Sequence, residues 1–125
     1  MSNTENRIKL AEFVGWEWHH LVDYPNKDSG QWSLHGMFRD WSIKSDLPFN
    51  PYEDANDCEA LIERLRYCGH EVEFRFKEHS RDFAGVVFIH IWNLDTEMHE
   101  RGDYDNWKQG IAELTLRIID ENDSP

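Results

Sequence analysis

The spacing of hydrophobic positions changes several times along this chain, and each change marks an element. In NTENRIKLAEFVG (residues 3–15) Leu10, Phe13 and Val14 fall at helical spacing. Asn3 or Thr4 can cap the free N–H groups, Glu5 suits the positive end, and Gly15 can take the left-handed conformation that stops the helix. In WEWHHLV the period drops to two, with Trp16, Trp18 and His20 on one side and Glu17 and His19 on the other. QWSLHGMF resumes that alternation through Trp32 and Leu34. Residues 16–22 and 31–38 are therefore predicted to form a hairpin across the loop DYPNKDSG.

SDLPFNPYEDAND has two prolines and cannot be regular throughout. It ends in Asn56-Asp57-Cys58-Glu59, the spacing of a capping box. In the helix that follows, Cys58, Leu61, Ile62, Leu65 and Cys68 share one arc, with Glu59, Glu63 and Arg66 opposite, and Gly69 ends it. EVEFRFK alternates cleanly: Val72, Phe74 and Phe76 against charges. AGVVFIHIW is apolar on both faces, with Val87, Ile89 and Ile91 on one and Val86, Phe88, His90 and Trp92 on the other, as in a strand covered on both sides. RGDYDN reads as a loop. A last helix over 104–120 carries Trp107, Ile111, Leu114 and Ile118 beside a second stripe of Ala112, Leu116 and Ile119. That face spans roughly 200°, wider than a one-sided surface helix needs, so the helix either wedges between two layers or meets a partner copy.

The predicted class is α+β, an α/β/α-type sandwich in the order αββαββα, with three helices and about four mainly antiparallel strands. No linker or repeat divides the chain, so residues 1–125 read as one domain, with 121–125 a frayed tail. No apolar run approaches the roughly 20 residues of a membrane span, and MSNTENRIKL lacks a signal-peptide segment, which points to the cytoplasm. Cys58 and Cys68 lie ten residues apart in one predicted helix. A rise of about 1.5 Å per residue separates them by roughly twice the longest Cα span of a disulfide, so both read as free thiols on the apolar arc.

Charge changes the picture more than composition does. The net charge is −12, and two blocks carry the excess: seven acids against one base in residues 40–63, and nine against three in residues 95–125. Direct nucleic-acid binding and an anionic membrane surface are both disfavoured, because phosphate affinity comes from clustered Lys and Arg.

The helix ending in EFVGWEW, the loop containing Tyr52 and the acidic cap leading into CEALIERL together resemble the phage ABA sandwich domain, a family of small phage and prophage proteins. The resemblance covers nearly the whole chain, but the motifs that carry it are structural. It implies a phage-related origin and α/β/α layering, and no activity.

Catalytic and metal patterns are missing from the sequence. His19 and His20 point to opposite strand faces and cannot share an ion, and EMHE (Glu97 to Glu100) has no His-Glu-x-x-His or Cys/His spacing around His99. No nucleophile elbow and no phosphate-cradling glycine loop occurs. The expectation is therefore a protein that is not an enzyme and needs neither metal nor cofactor. Its acidic residues Glu53, Asp54, Asp57, Glu59, Glu63, Asp95, Glu97, Glu100, Asp103 and Asp105 would engage a basic surface on a host nucleic-acid-handling or defence protein, imitating phosphates. The alternative is a module that binds or sequesters a small ligand or nucleotide, stacking a base on Trp16, Trp18, Trp32, Trp41, Trp92 or His90. Helix 104–120 would then build a homo-oligomer. A structural phage component is a third reading. His90, lying between Phe88 and Trp92, is either a hydrogen-bonded core or interface residue or one that senses pH or touches a ligand.

Overall fold

The computed structural model describes residues 3–20, 29–76, 87–93 and 95–123. They gather into two compact units, Met1–Asn50 and Pro51–Pro125. The class is α+β, and the three helices and antiparallel strands follow the predicted order, with seven strands where about four were expected.

In the first unit, helix α1 (Asn3–Val14) ends at Gly15, whose φ of 112° turns the chain directly into strand β1 (Trp16–His20). β1 pairs antiparallel with β2 (Ser29–Leu34), setting Trp16 opposite Leu34 and Trp18 opposite Trp32. The predicted strand 31–38 is broken. His35 and Gly36 both have positive φ, 51° and 81°, and this turn sends the chain back along the other edge of β2 as β3 (Met37–Phe38) and β4 (Ser42–Ile43). The end of the predicted strand 16–22 and most of the predicted loop, residues 21–28, lie outside the described residues. The core is Leu10, Ala11, Trp16, Trp32, Leu47 and Phe49. Arg7 holds the irregular stretch behind it, donating from Nε to the Phe49 carbonyl (3.0 Å) and from Nη2 to that of Leu47 (2.8 Å). Those bonds satisfy backbone that has no strand to pair with.

The second unit is two helices, α2 (Ala55–Tyr67) and α3 (Trp107–Asp123), on one face of the antiparallel sheet β5 (His70–Phe76), β6 (Val87–Asn93), β7 (Met98–Tyr104). Burial alternates strictly along β6. Val87, Ile89 and Ile91 are at most 1% exposed and face the helices, while Phe88, His90 and Trp92 are half-buried on the other face. From α2 come Cys58, Leu61 and Leu65; from α3 come Ile111, Ala112, Leu114, Thr115 and Ile118. Each such aliphatic side chain contributes about 1.5–3 kcal/mol by leaving water. Thr115 is tolerated in this core because its hydroxyl donates to the Ile111 carbonyl at 2.6 Å. Of the wide apolar face on α3, both stripes are largely used within the unit, with Leu116 and Ile119 left half-buried.

Three local readings need correction. The cap of α2 is Asp54, in extended conformation (φ −101°, ψ 119°), whose Oδ1 accepts from the Asn56 and Asp57 amides at 2.8 and 3.2 Å. The helix therefore starts at Ala55, two residues before the Asn56–Glu59 box would start it. Cys68 lies beyond the last turn of α2 and is exposed, so it leaves the apolar arc that Cys58 keeps; both are free thiols. RGDYDN is not all loop: Arg101–Tyr104 complete β7, an edge strand in which polar residues are tolerated, and α3 starts only at Trp107. Residues 77–86, including Val86 of the predicted strand, and residues 124–125 of the predicted tail lie outside the described residues, and α3 runs to Asp123.

Candidate functional site

α2 and α3 run parallel. Their starts are joined where the Cys58 thiol approaches the Lys108 carbonyl (3.8 Å) and Lys108 Nζ donates to the Glu53 carbonyl (3.0 Å). Near their far ends, Cys68 and Glu121 line one cavity. This parallel packing sorts the acidic residues differently from their order in sequence. Glu53, Asp54 and Asp57 at the start of α2 lie at the same end of the unit as Asp105 in the turn before α3, while Asp103, near the end of β7, is the register partner of Phe88 on the sheet face away from the helices. Glu59 and Glu63 lie exposed along α2. Asp95 and Glu97, in the β6–β7 turn, sit at the opposite end of the unit, and Glu100 lies on the helix-covered face, 3.8 Å from the Arg117 guanidinium. The second acidic block is thus two separate groups. Two positive helix ends converge on the first group.

The outer face of the β5-β6-β7 sheet is the second candidate. Its middle row is Phe88, His90 and Trp92. By register, Arg75, Glu73 and Glu71 flank it on β5, and Asp103, Arg101 and His99 on β7. The rings form a stripe: His90 lies 4.7 Å from Trp92 and 6.4 Å from Phe88, both tilted, at 35° and 42°, and 5.2 Å from His99, nearly parallel at 19°. His90 Nε2 and His99 Nδ1 share a hydrogen bond of 3.0 Å. Burial holds His90 below the ordinary imidazole range, and His99, Arg101 and Arg75 push the same way against Glu73. His90 is therefore a hydrogen-bonded residue of a half-open face. His99 and Arg101 were missed as its neighbours because the polar stretch 98–104 gives no strand signal of its own.

The tryptophans named as ligand contacts belong to two different sets. Trp92 is in the ring stripe just described. Trp16 and Trp32 are core residues of the first unit; the Trp32 indole donates to the Lys44 carbonyl at 3.1 Å, and Trp18 packs on Trp32 at 5.3 Å. The Arg39 guanidinium lies over Trp16 at 5.4 Å. A recess of about 470 Å³ beside β1 is lined by Trp16, Trp18, Glu12, Glu17, His19 and Lys44. Trp41 stands 60% exposed with Met37, Phe38 and Ile43 along the β3–β4 edge. His19 and His20 diverge: His19 bonds Ser33 Oγ at 2.7 Å, and His20 is exposed. Among the described residues no group of three His, Cys, Asp or Glu side chains is placed to hold a metal ion, and no helix is long and apolar enough to cross a membrane.

Fold and site together define an α+β protein with an acidic helix-start end and a ring-lined sheet face. No family model, no curated protein and no solved structure matches the chain.

Proposed function

We propose that this is a non-catalytic accessory protein of phage type, working in the host cytoplasm by binding a basic surface on a nucleic-acid-handling or defence protein. One observation carries the reading: parallel α2 and α3 gather Glu53, Asp54, Asp57 and Asp105, from two separate sequence blocks, at one end. Carboxylates so grouped present repeated negative charge to a channel built for phosphates, and association would be fast and steeply salt-dependent. The test is retention of a basic bacterial protein on the immobilised chain at low salt. Double-stranded DNA should displace it, and the variant Glu53→Lys/Asp57→Lys/Asp105→Lys should lose it. Binding that survives these charge reversals, or that DNA leaves untouched, overturns the reading.

A second reading draws support from the adjoining rings Phe88, His90, Trp92 and His99, a surface on which an aromatic ligand such as a nucleobase would stack. A nucleotide panel read by tryptophan fluorescence separates the two. Saturable quenching lost in Trp92→Leu supports the ligand role, and a flat response across the panel removes it.

A further inference from the structure

The end of the second unit opposite the acidic helix starts holds a cavity of about 380 Å³ with the attributes of a small-molecule site. Its floor is one rung of the sheet. His70 begins β5, Asn93 ends β6 and Met98 begins β7; they are consecutive register partners on the helix-covered face. Its walls are Cys68, just past α2, Glu121, in the last turns of α3, and Thr96 in the β6–β7 turn. This volume lies within the usual range for small-ligand pockets, roughly 300–1,000 Å³.

Two observations, independent of each other, define what would fit. The first is an unmet hydrogen bond. His70 is 6% exposed, and its Nδ1 has no hydrogen-bond partner. A buried polar atom left in that state ordinarily costs the fold. Burial also holds this imidazole below its ordinary range, so it is neutral near pH 7. With the ring proton on Nε2, Nδ1 accepts an N–H. Asn93 cannot supply the missing donor: its Nδ2 faces the Cys68 carbonyl (3.5 Å), and its Oδ1 already accepts from the Asp95 and Thr96 amides.

The second observation is the sign of the field. Both helices end here, so both negative dipole ends point this way; α2 carries Arg64 and Arg66 in its last turn, whereas the last turn of α3 has no basic residue. Glu121 stands there instead, hydrogen-bonded to Glu100 and raised above the ordinary carboxyl range, first by that bond. Arg117 lies 3.8 Å from Glu100, the other member of this pair. Met98 and the Thr96 methyl add apolar surface beside these polar groups.

From the unmet acceptor and the carboxyl pair at the base-free end of α3, we propose that this cavity binds a small primary amine in its ammonium form, of the aliphatic diamine class. One N–H would be donated to His70 Nδ1, the charge would face Glu121, and the carbon chain would lie along Met98. A bare metal ion is a poorer occupant, since the described residues offer no group of three ligating side chains. This proposal does not depend on either reading of the acidic end or of the ring stripe.

The experiment is titration of the full chain with 1,4-diaminobutane at physiological ionic strength, followed through the ¹⁵N resonances of the His70 ring. Tetramethylammonium, a cation without N–H donors, is the control. The expected result is a saturable diaminobutane shift with a dissociation constant at or below about 1 mM, little effect of tetramethylammonium, and at least about tenfold weakening in Glu121→Gln. His70→Phe should abolish binding while an unchanged circular dichroism spectrum reports an intact fold. Equal responses to the two cations, no saturation below about 10 mM, or full affinity in Glu121→Gln would each overturn the proposal.

Discussion

Gly110 sits in the first turn of α3, where intrinsic helix preference and packing pull in opposite directions. Alanine is favoured over glycine within a helix by about 1 kcal/mol, so on propensity alone Gly110→Ala should stabilise. The packing says otherwise. A methyl at this position would lie 2.5 Å from Ile89 Cδ1 and 2.6 and 2.8 Å from Tyr104 Cδ2 and Cγ, against an optimum of about 3.5–4.0 Å between carbons. The Ile89 terminus could swing, but Ile89 is fully buried and has little room to do so. Tyr104 Cγ is the root of its ring, so relieving that contact means moving the end of β7. Overpacking of this kind costs about 1–3 kcal/mol and outweighs most or all of the propensity gain. The expected outcome is a net loss of up to about 2 kcal/mol, read as a lower urea midpoint at unchanged m-value. In an Ile89→Val background, which removes one of the clashing atoms, the same substitution should cost less. If Gly110→Ala instead raises stability by about the full propensity difference, α3 does not approach β6 and β7 this closely, and the account of the helix–sheet contact fails.

Asp54→Ala should cost about 1 kcal/mol by removing the cap, whereas Asp54→Asn, which keeps the acceptor, should cost far less; equal losses would show that Asp54 does not cap α2. Cys58 is buried, with its thiol pushed up to about 12 by desolvation, while Cys68 is exposed. A thiol reagent should therefore label one cysteine quickly in the native state and the second only on unfolding, and two fast thiols would contradict this. Burial is the leading cause holding both His70 and His90 below the ordinary value of 6.5. Folding thus favours the neutral rings: their contribution is complete above that value and is lost as pH falls through the lower folded values. Melting temperature should decline as pH is lowered from about 7 to 5, and His70→Leu should flatten the decline; an unchanged slope would remove His70 from the explanation.

The sequence patterns that survived in the structure are those set by period alone. Leu61 and Leu65, and Ile111, Leu114 and Ile118, sit on helix faces that are buried as their spacing implies, and the alternation through Val87, Ile89 and Ile91 places the covered side of β6 correctly. Periodicity failed where a strand does not need a hydrophobic face. β7 alternates Met98, Glu100, Gly102 and Tyr104 toward the helices, a set too polar to signal a strand, yet as an edge strand it needs only backbone pairing with β6. The same gap hid His99 and Arg101 beside His90. His70 was passed over for another reason: it follows the helix-ending Gly69, although counting back by two from Phe74 and Val72 puts it on the buried face. The position of the acidic groups was not legible at all, because it depends on α2 and α3 being parallel, a tertiary fact with no local signature.

That parallel arrangement also separates two kinds of negative charge in one small unit. At the helix starts, Asp54 caps, and its neighbours Glu53 and Asp57 lie where two positive dipole ends favour them. Carboxylates there help the fold whether or not a partner exists. At the helix ends the sign is reversed. Glu121 faces Glu100 and the negative ends of both helices, and its raised affinity for a proton means that the folded state prefers it neutral. A carboxyl shifted upward contributes its stability at low pH and loses it as pH rises through the folded value. Glu121→Gln, which fixes a neutral side chain in the same shape, should therefore leave neutral-pH stability unchanged or raised while weakening diamine binding. Thermal melts of the two proteins near pH 7 and pH 4 test this directly: the melting-temperature gain from glutamine should shrink at the lower pH. A variant less stable than the parent at neutral pH would mean that the Glu121 carboxylate supports the fold after all.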